Sequence, residues 1–337
     1  MEVLNQVHNK NLVNWAKDRK EVVVLSGDLT GSTEISLFKE TYPDRFLSMG
    51  LTEQNMLSFA GGMAREGYVP FLHTFAVFLY RRPYDQLAMS ICYPNLKVRL
   101  VGFLPGLTTP GGVTHQAIED IATLRGLPNL TIIEMGDATE VETVLDEIDK
   151  INGPVYIRML RGEIPRLFDK SEPFVLNKAR VITDGDDITL FTTGVCTEEA
   201  MRVVDVVKNR GISIRHVHIS TLKPFTDSEV LNSINKAKYG VITMENHNII
   251  GGLGTCVSEV MAENGVNKKL HRIGIKDRYG FGSSFNYLKK VYEIDANALI
   301  RKIEEIVGKN LNIREDELKA VRISSAKSIS KEQLEAL

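Results

Sequence analysis

The residues best placed to do chemistry fall in one stretch, Phe46 to Tyr84, which reads FLSMGLTEQNMLSFAGGMAREGYVPFLHTFAVFLYRRPY. Glu53 opens a helical run, Gln54 to Arg65, whose apolar residues Met56, Leu57, Phe59, Ala60 and Met63 imply packed surroundings. An unpaired carboxylate there is costly, so Glu53 needs a partner that shares its charge. Downstream, Phe75 and Phe78 stand three apart on one face of an expected helical turn, where they could clamp a flat ring. His115 follows the loop Leu104 to Gly112, whose glycines and prolines let backbone approach a ligand closely. It is expected to open a helix carrying Ile118, Ile121, Ala122 and Leu124. By residue type alone, a lone histidine in such a place is more often structural than catalytic.

These groups need strands behind them. A helix over Val7 to Lys17 precedes the β-branched run Val22 to Leu25, which reads as a buried parallel strand. Further strands are expected at Phe46 to Met49, after Gly67, and at Lys97 to Phe103, Leu130 to Glu134 and Val155 to Arg158. Ligands are met at strand ends in open α/β sheets. The small polar turn Ser26 to Ser32 and Arg161, just past the last strand, are therefore site candidates, though a plain turn and a solvated charge explain them as well. Beyond it, Pro165 and Pro173 interrupt a stretch without periodicity. A second α/β unit then alternates strands at Ile188 to Thr192, Ile212 to His218 and Gly240 to Glu245 with helices at Thr197 to Asn209, Asp227 to Ala237 and Thr255 to Glu263. The glycine-rich turn Gly251 to Gly254 is a weak phosphate signal, because it lacks the spacing of a dinucleotide fingerprint.

The expected fold is α/β, two parallel-sheet three-layer domains: 1–165, a linker 166–186, 187–308, and an accessory helical or mobile tail 309–337 containing Ser324, Ser325, Ser328 and Ser330. At 337 residues, 43% of them hydrophobic, the chain can bury two cores. A net charge of −2 gives no basic footprint for nucleic acid or acidic membranes. Cys92, Cys196 and Cys256 are odd in number and far apart, so neither a disulfide framework nor a zinc site is readable. The N-terminus lacks a signal-peptide pattern and no run of about 18 apolar residues occurs, so a cytoplasmic location is expected.

The order GLTEQNM, HTFAVF, GGVTHQAIEDIATLRGLPN, YIRMLRGE, VHISTLKPF and MENHNIIGGLGTCVSEVMAE resembles the C-terminal half of transketolases over roughly residues 1 to 310. The resemblance implies a thiamine-diphosphate pyrimidine-binding domain followed by a transketolase C-terminal-like domain. It assigns Glu53 to the aminopyrimidine ring nitrogen, Phe75 and Phe78 to stacking on that ring, and Asp28 to a place beside the cofactor. His115 is assigned to proton relay at the substrate-derived oxygen, and Ser32 and Arg161 to the anionic end of a sugar. The family binds the diphosphate through Mg²⁺ with a Gly-Asp-Gly motif on a separate domain, and no Gly-Asp-Gly occurs here. The resemblance therefore implies a split enzyme: no metal ligands in this chain, a partner subunit carrying the diphosphate- and magnesium-binding domain, an α2β2 assembly, and transfer of a two-carbon ketol unit from a ketose to an aldose.

Several positions depart from the family pattern. Phe103 stands where a phosphate-binding histidine is usual, Gly111 replaces an acidic residue that reads a sugar hydroxyl, and Asn5 and Gln6 fall about where an arginine is expected. A non-standard sugar, unphosphorylated or sulfonated, follows as the expectation, with Arg81 and Arg82 as candidates to replace the missing charge. Three other readings stay open. A 1-deoxyxylulose-5-phosphate-synthase-like reaction would release CO₂ from pyruvate, a 2-oxoacid dehydrogenase β subunit would transfer acyl groups, and a scaffold subunit would do no chemistry. A buried Glu53 with nothing to pair with argues against the last.

Overall fold

The computed structural model describes residues 2–321 together with Ile323 and Ser325. Its strands, in chain order, are β1 (Val3–Asn5), β2 (Val22–Ser26), β3 (Phe46–Ser48), β4 (Val69–Phe75), β5 (Arg99–Phe103), β6 (Thr131–Glu134), β7 (Val155–Met159), β8 (Glu163–Pro165), β9 (Arg180–Thr183), β10 (Ile188–Thr192), β11 (Ile214–His218), β12 (Thr221–Lys223), β13 (Gly240–Asn248) and β14 (Leu270–Ile275). Every residue of β2, β5 and β7 is buried. Apolar runs with no alternation are what strands covered on both faces require.

The first sheet has the order β12–β6–β7–β5–β4–β2–β3. All its pairings are parallel except that of β12 with β6. On one face the helix Glu53–Arg65 lays Met56, Leu57 and Ala60 onto the sheet; on the other, Val7–Trp15 and Ala138–Asp149 contribute Leu12, Val141, Val144 and Leu145. The second sheet, β14–β13–β10–β11–β9, is parallel except for β9. The expected pair of parallel-sheet α/β units is therefore present.

Two features blur the division that the chain suggests. The segment 166–186, expected to be a linker, supplies β9 to the second sheet, and β12 leaves the second unit to close the edge of the first. One apolar cluster runs across both, joining Leu72 and Leu100 with Phe191, Val217 and Leu253. At the same junction Arg158, fully buried, has Nε 3.1 Å from Asp120 Oδ2 and Nη1 3.0 Å from Glu134 Oε1. Its Nη2 donates to the Asn246 carbonyl at 3.1 Å. Tyr156 donates to Asp120 at 2.7 Å and Thr193 to Glu134 at 3.0 Å. Burial raises both carboxyls above their usual range, and the guanidinium between them offsets that.

The accessory helix expected in the tail is Glu315–Ala320, with Leu318 buried and Glu317 accepting from Arg210 Nη2 at 2.7 Å. The mobile end expected past it, with Ser324, Ser328 and Ser330, lies outside the described residues. No helix among the described residues is long and apolar enough to cross a membrane.

Between the first helix and β4 lies a buried histidine pair. His73 Nδ1 donates to the Phe71 carbonyl at 3.3 Å, so its Nε2 accepts from His8 Nε2 at 2.9 Å, leaving His8 Nδ1 without a partner. Burial pushes His8 down to about 4 and His73 well below the usual imidazole value. Above pH 6.5 the unfolded imidazole is neutral as well and no penalty exists. As pH falls from 6.5 toward 4 the unfolded chain takes up the proton first, and stability drops by up to about 3 kcal/mol through His8 alone. His8→Gln is expected to flatten that stretch of the curve in urea unfolding across pH. An unchanged slope would place the acid sensitivity elsewhere.

Candidate functional site

Glu53 is the first residue of its helix, and the Thr52 side chain gives no cap. Its carboxylate thus sits at the positive end of the helix dipole, 2% exposed. The helix can lie this close to its neighbour because of Gly61, where a Cβ would be 2.5 Å from the Ser90 carbonyl oxygen. The partner that burial demands is Arg82, whose Nη1 donates to Glu53 Oε1 at 2.7 Å. The same guanidinium lies 4.2 Å from the centroid of the Phe78 ring.

Phe75 ends β4, and Phe78 follows in the 3₁₀ turn Ala76–Leu79; their rings are 6.1 Å apart and tilted by 25°. The His115 ring centroid is 5.5 Å from that of Phe78 and 6.1 Å from that of Phe75. Folding therefore brings together Glu53, Phe75, Phe78 and His115, at the carboxyl ends of β4 and β5. The Thr74 hydroxyl, also at the end of β4, is buried without a hydrogen-bond partner.

His115 does not open a helix. The helix starts at Asp120 and His115 lies in a turn, with Nδ1 2.8 Å from Thr114 Oγ1. Before Asp120 the backbone makes isolated turn bonds, His115 N and Gln116 N to the Gly112 carbonyl, and side chains brace it. Arg81 Nε pairs with Glu119 at 2.5 Å, Nη1 donates to the Val113 carbonyl at 3.0 Å and Nη2 to that of Gln116 at 3.2 Å. From the second unit, Asn246 Oδ1 accepts from Leu107 N at 3.0 Å, and the Phe281 carbonyl accepts from Gln116 Nε2 at 3.0 Å. Gly112 has φ of 74°, a left-handed turn that favours glycine. At Gly111 a Cβ would lie 2.9 Å from His115 Cγ, so the imidazole occupies the space of a side chain there. Both arginines expected to be free for substrate are therefore engaged: Arg81 braces the histidine loop, and Arg82 holds Glu53. Sequence reasoning missed both roles, since a buried carboxylate names no partner and a brace leaves no motif.

Ser32 and Arg161 meet at the ends of β2 and β7, where Arg161 Nη1 donates to the Ser32 carbonyl at 3.1 Å. Gly162 N donates to Glu34 Oε1 at 2.7 Å, and burial raises the Glu34 carboxyl against the pull of that amide and of Arg161. Arg161 also lines a cavity of about 300 Å³ between the two units, with Leu104, Pro105, Glu198 and Phe285. Asp28 is exposed on the turn after β2, with φ of 63°. No hydrogen bond or ion pair among the described residues joins Asp28, Ser32 or Arg161 to the Glu53 cluster. Phe103 is fully buried against His8 and His73, paired with Phe75 across β4 and β5. The turn Gly251 to Gly254 holds no free anion site, because the Glu245 carboxylate already accepts from Leu253 N at 2.7 Å and Gly254 N at 2.9 Å. Among the described residues no group of three or more His, Cys, Asp or Glu side chains is arranged to hold a metal ion.

The donor set beside Phe78 suits a flat, proton-bearing heteroaromatic ring. A guanidinium, planar and cationic, here makes the two contacts such a ring would make, a hydrogen bond to a buried carboxylate and a stack on an aromatic face.

Residues 4–166 match the family described as Transketolase, pyrimidine binding domain, and residues 177–299 match Transketolase, C-terminal domain. The chain is 37% identical over 305 residues to a transketolase C-terminal section of Methanocaldococcus jannaschii, covering 90% of this chain and 95% of that protein. It is 33% identical over 296 residues to the 6-deoxy-6-sulfo-D-fructose transketolase subunit of a Clostridium species, covering 88% and 91%. Among solved structures, one described as a split gene transketolase, inactive beta4 tetramer, superposes with a TM-score of 0.82 at 33% identity, over 90% of this chain and 97% of that one.

Proposed function

Because the chain belongs to the transketolase family, as the C-terminal section of a split enzyme, we propose that it is one subunit of a thiamine-diphosphate-dependent transketolase that moves a two-carbon ketol unit from a ketose to an aldose. The observation that carries this reading is that one guanidinium, Arg82, joins the buried Glu53 carboxylate to the Phe78 ring, with His115 beside that ring. Phe75 and Phe78 would hold the pyrimidine, and Glu53 would hydrogen-bond its ring nitrogen. Asp28, at the end of β2, would border it. When bound, thiamine diphosphate supplies the nucleophilic carbon and the electron sink for carbon–carbon cleavage. His115 would give and take the proton at the substrate oxygen, its ring aimed by the turn that Arg81 braces. Ser32 and Arg161 would meet the far, anionic end of the sugar.

In this reading the pyrimidine-binding domain is 1–165 and the C-terminal domain 187–308. A second polypeptide brings the diphosphate- and Mg²⁺-binding domain, and two copies of each form an α2β2 cytoplasmic assembly. The substrate is a non-standard sugar, unphosphorylated or sulfonated. Phe103, turned into the core, offers no ligand to a phosphate, and Gly111 no carboxylate to a sugar hydroxyl. The sulfonated case is favoured by the likeness to a subunit named for a sulfosugar.

Calorimetric titration with thiamine diphosphate and Mg²⁺ tests the assignment. No heat with this chain alone and binding once the partner subunit is added is the expected result; tight binding by the chain alone would end the two-subunit reading. A ketose and aldose panel with phosphorylated, sulfonated and neutral members then tests the substrate, and ordinary turnover of pentose phosphates would defeat the non-standard choice. Gly111→Asp, which restores the family's acid, is expected instead to push His115 aside and to lower turnover of the assembled enzyme roughly tenfold or more without lowering its melting temperature. Faster turnover would mean that the loop moves to accept the acid.

A further inference from the structure

We propose that Arg82 is an internal competitor for the pyrimidine site, a side chain that must be displaced from Glu53 and Phe78 before the cofactor ring can seat. The inference rests on the functional reading above and deepens it. Glu53 is 2% exposed and has one charged partner among the described residues, the Arg82 guanidinium at 2.7 Å. The face of Phe78 has one cation over it, the same guanidinium at 4.2 Å. Hydrogen bond and stack are also the two contacts assigned to the pyrimidine, and the ring face covered by the guanidinium cannot take the pyrimidine as well.

The two arginines of this stretch differ in how readily they can leave. Arg81 is fixed by three partners on the histidine loop, and its side chain is 28% exposed. Arg82 is 49% exposed, and among the described residues its only charged partner is Glu53, so it can rotate into water without breaking other hydrogen bonds there. A guanidinium is the side chain best able to stand in for a flat protonated ring, and it keeps the buried carboxylate neutralised until one arrives. Displacing it costs an ion pair and a cation–π contact, each modest on a half-exposed side chain. Together they amount to a weakening of cofactor affinity of roughly tenfold.

The test uses the complex of this chain with its partner subunit, stripped of cofactor and titrated calorimetrically with thiamine diphosphate and Mg²⁺. Melting temperatures are taken before and after loading. Arg82→Ala is expected to bind about tenfold more tightly than the native complex, to melt lower when unloaded because Glu53 has lost its counter-charge, and so to gain more on loading. Arg82→Lys keeps the charge but not the flat stack; it is expected to melt near the native temperature and to bind with intermediate affinity, so it answers the question if the alanine variant does not fold. Equal or weaker binding by either variant would overturn the proposal and make Arg82 a cofactor contact or a bystander. A native complex that binds no cofactor would overturn it too, by removing the functional reading beneath it.

Discussion

Replacing Glu53 by glutamine is expected to leave the assembled protein folded and to lower turnover by roughly 10²–10⁴-fold, the range that a lost acid–base group costs. The structure separates these two effects. Glu53 is buried, but its partner Arg82 is half exposed, so an amide at position 53 leaves a guanidinium that water can solvate. The stability change is then about 1 kcal/mol or less, as for other ion pairs with an exposed member. The amide can still accept from Arg82, but it cannot hold a proton against a ring nitrogen. Turnover of the complex with a saturating sugar, set beside its melting temperature, checks this. Activity within threefold of the native enzyme would take Glu53 out of the chemistry, whereas a collapsed melting temperature would make it a structural residue.

Arg158→Met should produce the largest loss of stability, about 3–5 kcal/mol, because it strands two buried carboxylates at the junction of the two sheets. Neither Asp120 nor Glu134 can reach water, and the guanidinium nitrogens nearest them sit at ion-pair distance without hydrogen-bond alignment. The arrangement is therefore held by charge more than by directed bonds. Neutralising all three groups, with Asp120→Asn and Glu134→Gln added to Arg158→Met, is expected to recover most of the loss, since the cost lies in the unpaired charge and not in the absent arginine. Urea midpoints of the native, single and triple variants measure both steps. A loss under about 1 kcal/mol in the single variant would mean that water enters the junction.

Much of this protein follows from the chain alone. Val22 to Leu25, Arg99 to Phe103 and Val155 to Met159 form parallel strands because mainly apolar runs of that length, the last two each carrying one buried arginine, are best buried between two covered faces. Glu53 at the head of an amphipathic helix, with Phe75 and Phe78 at a fixed spacing, marked the site. Local order sets local geometry, and two rings three residues apart meet where the chain turns between them, as the 3₁₀ turn Ala76–Leu79 does. Contacts between residues distant in sequence were not legible. β12 crosses to the first sheet and β9 emerges from an apparent linker because an open sheet edge pairs with whatever strand the packing presents. His115 lies in a turn where a helix was expected: its N donates to the Gly112 carbonyl, and the residues around it are tied by Arg81 at Val113 and Gln116 and, through the Gln116 side chain, by Phe281 of the second unit. Periodicity cannot register partners of that kind. So composition and spacing determined which groups could do chemistry, while only the tertiary structure decided that Arg82 answers Glu53. Which charge neutralises a buried carboxylate depends on distance in space, and sequence separation does not encode it.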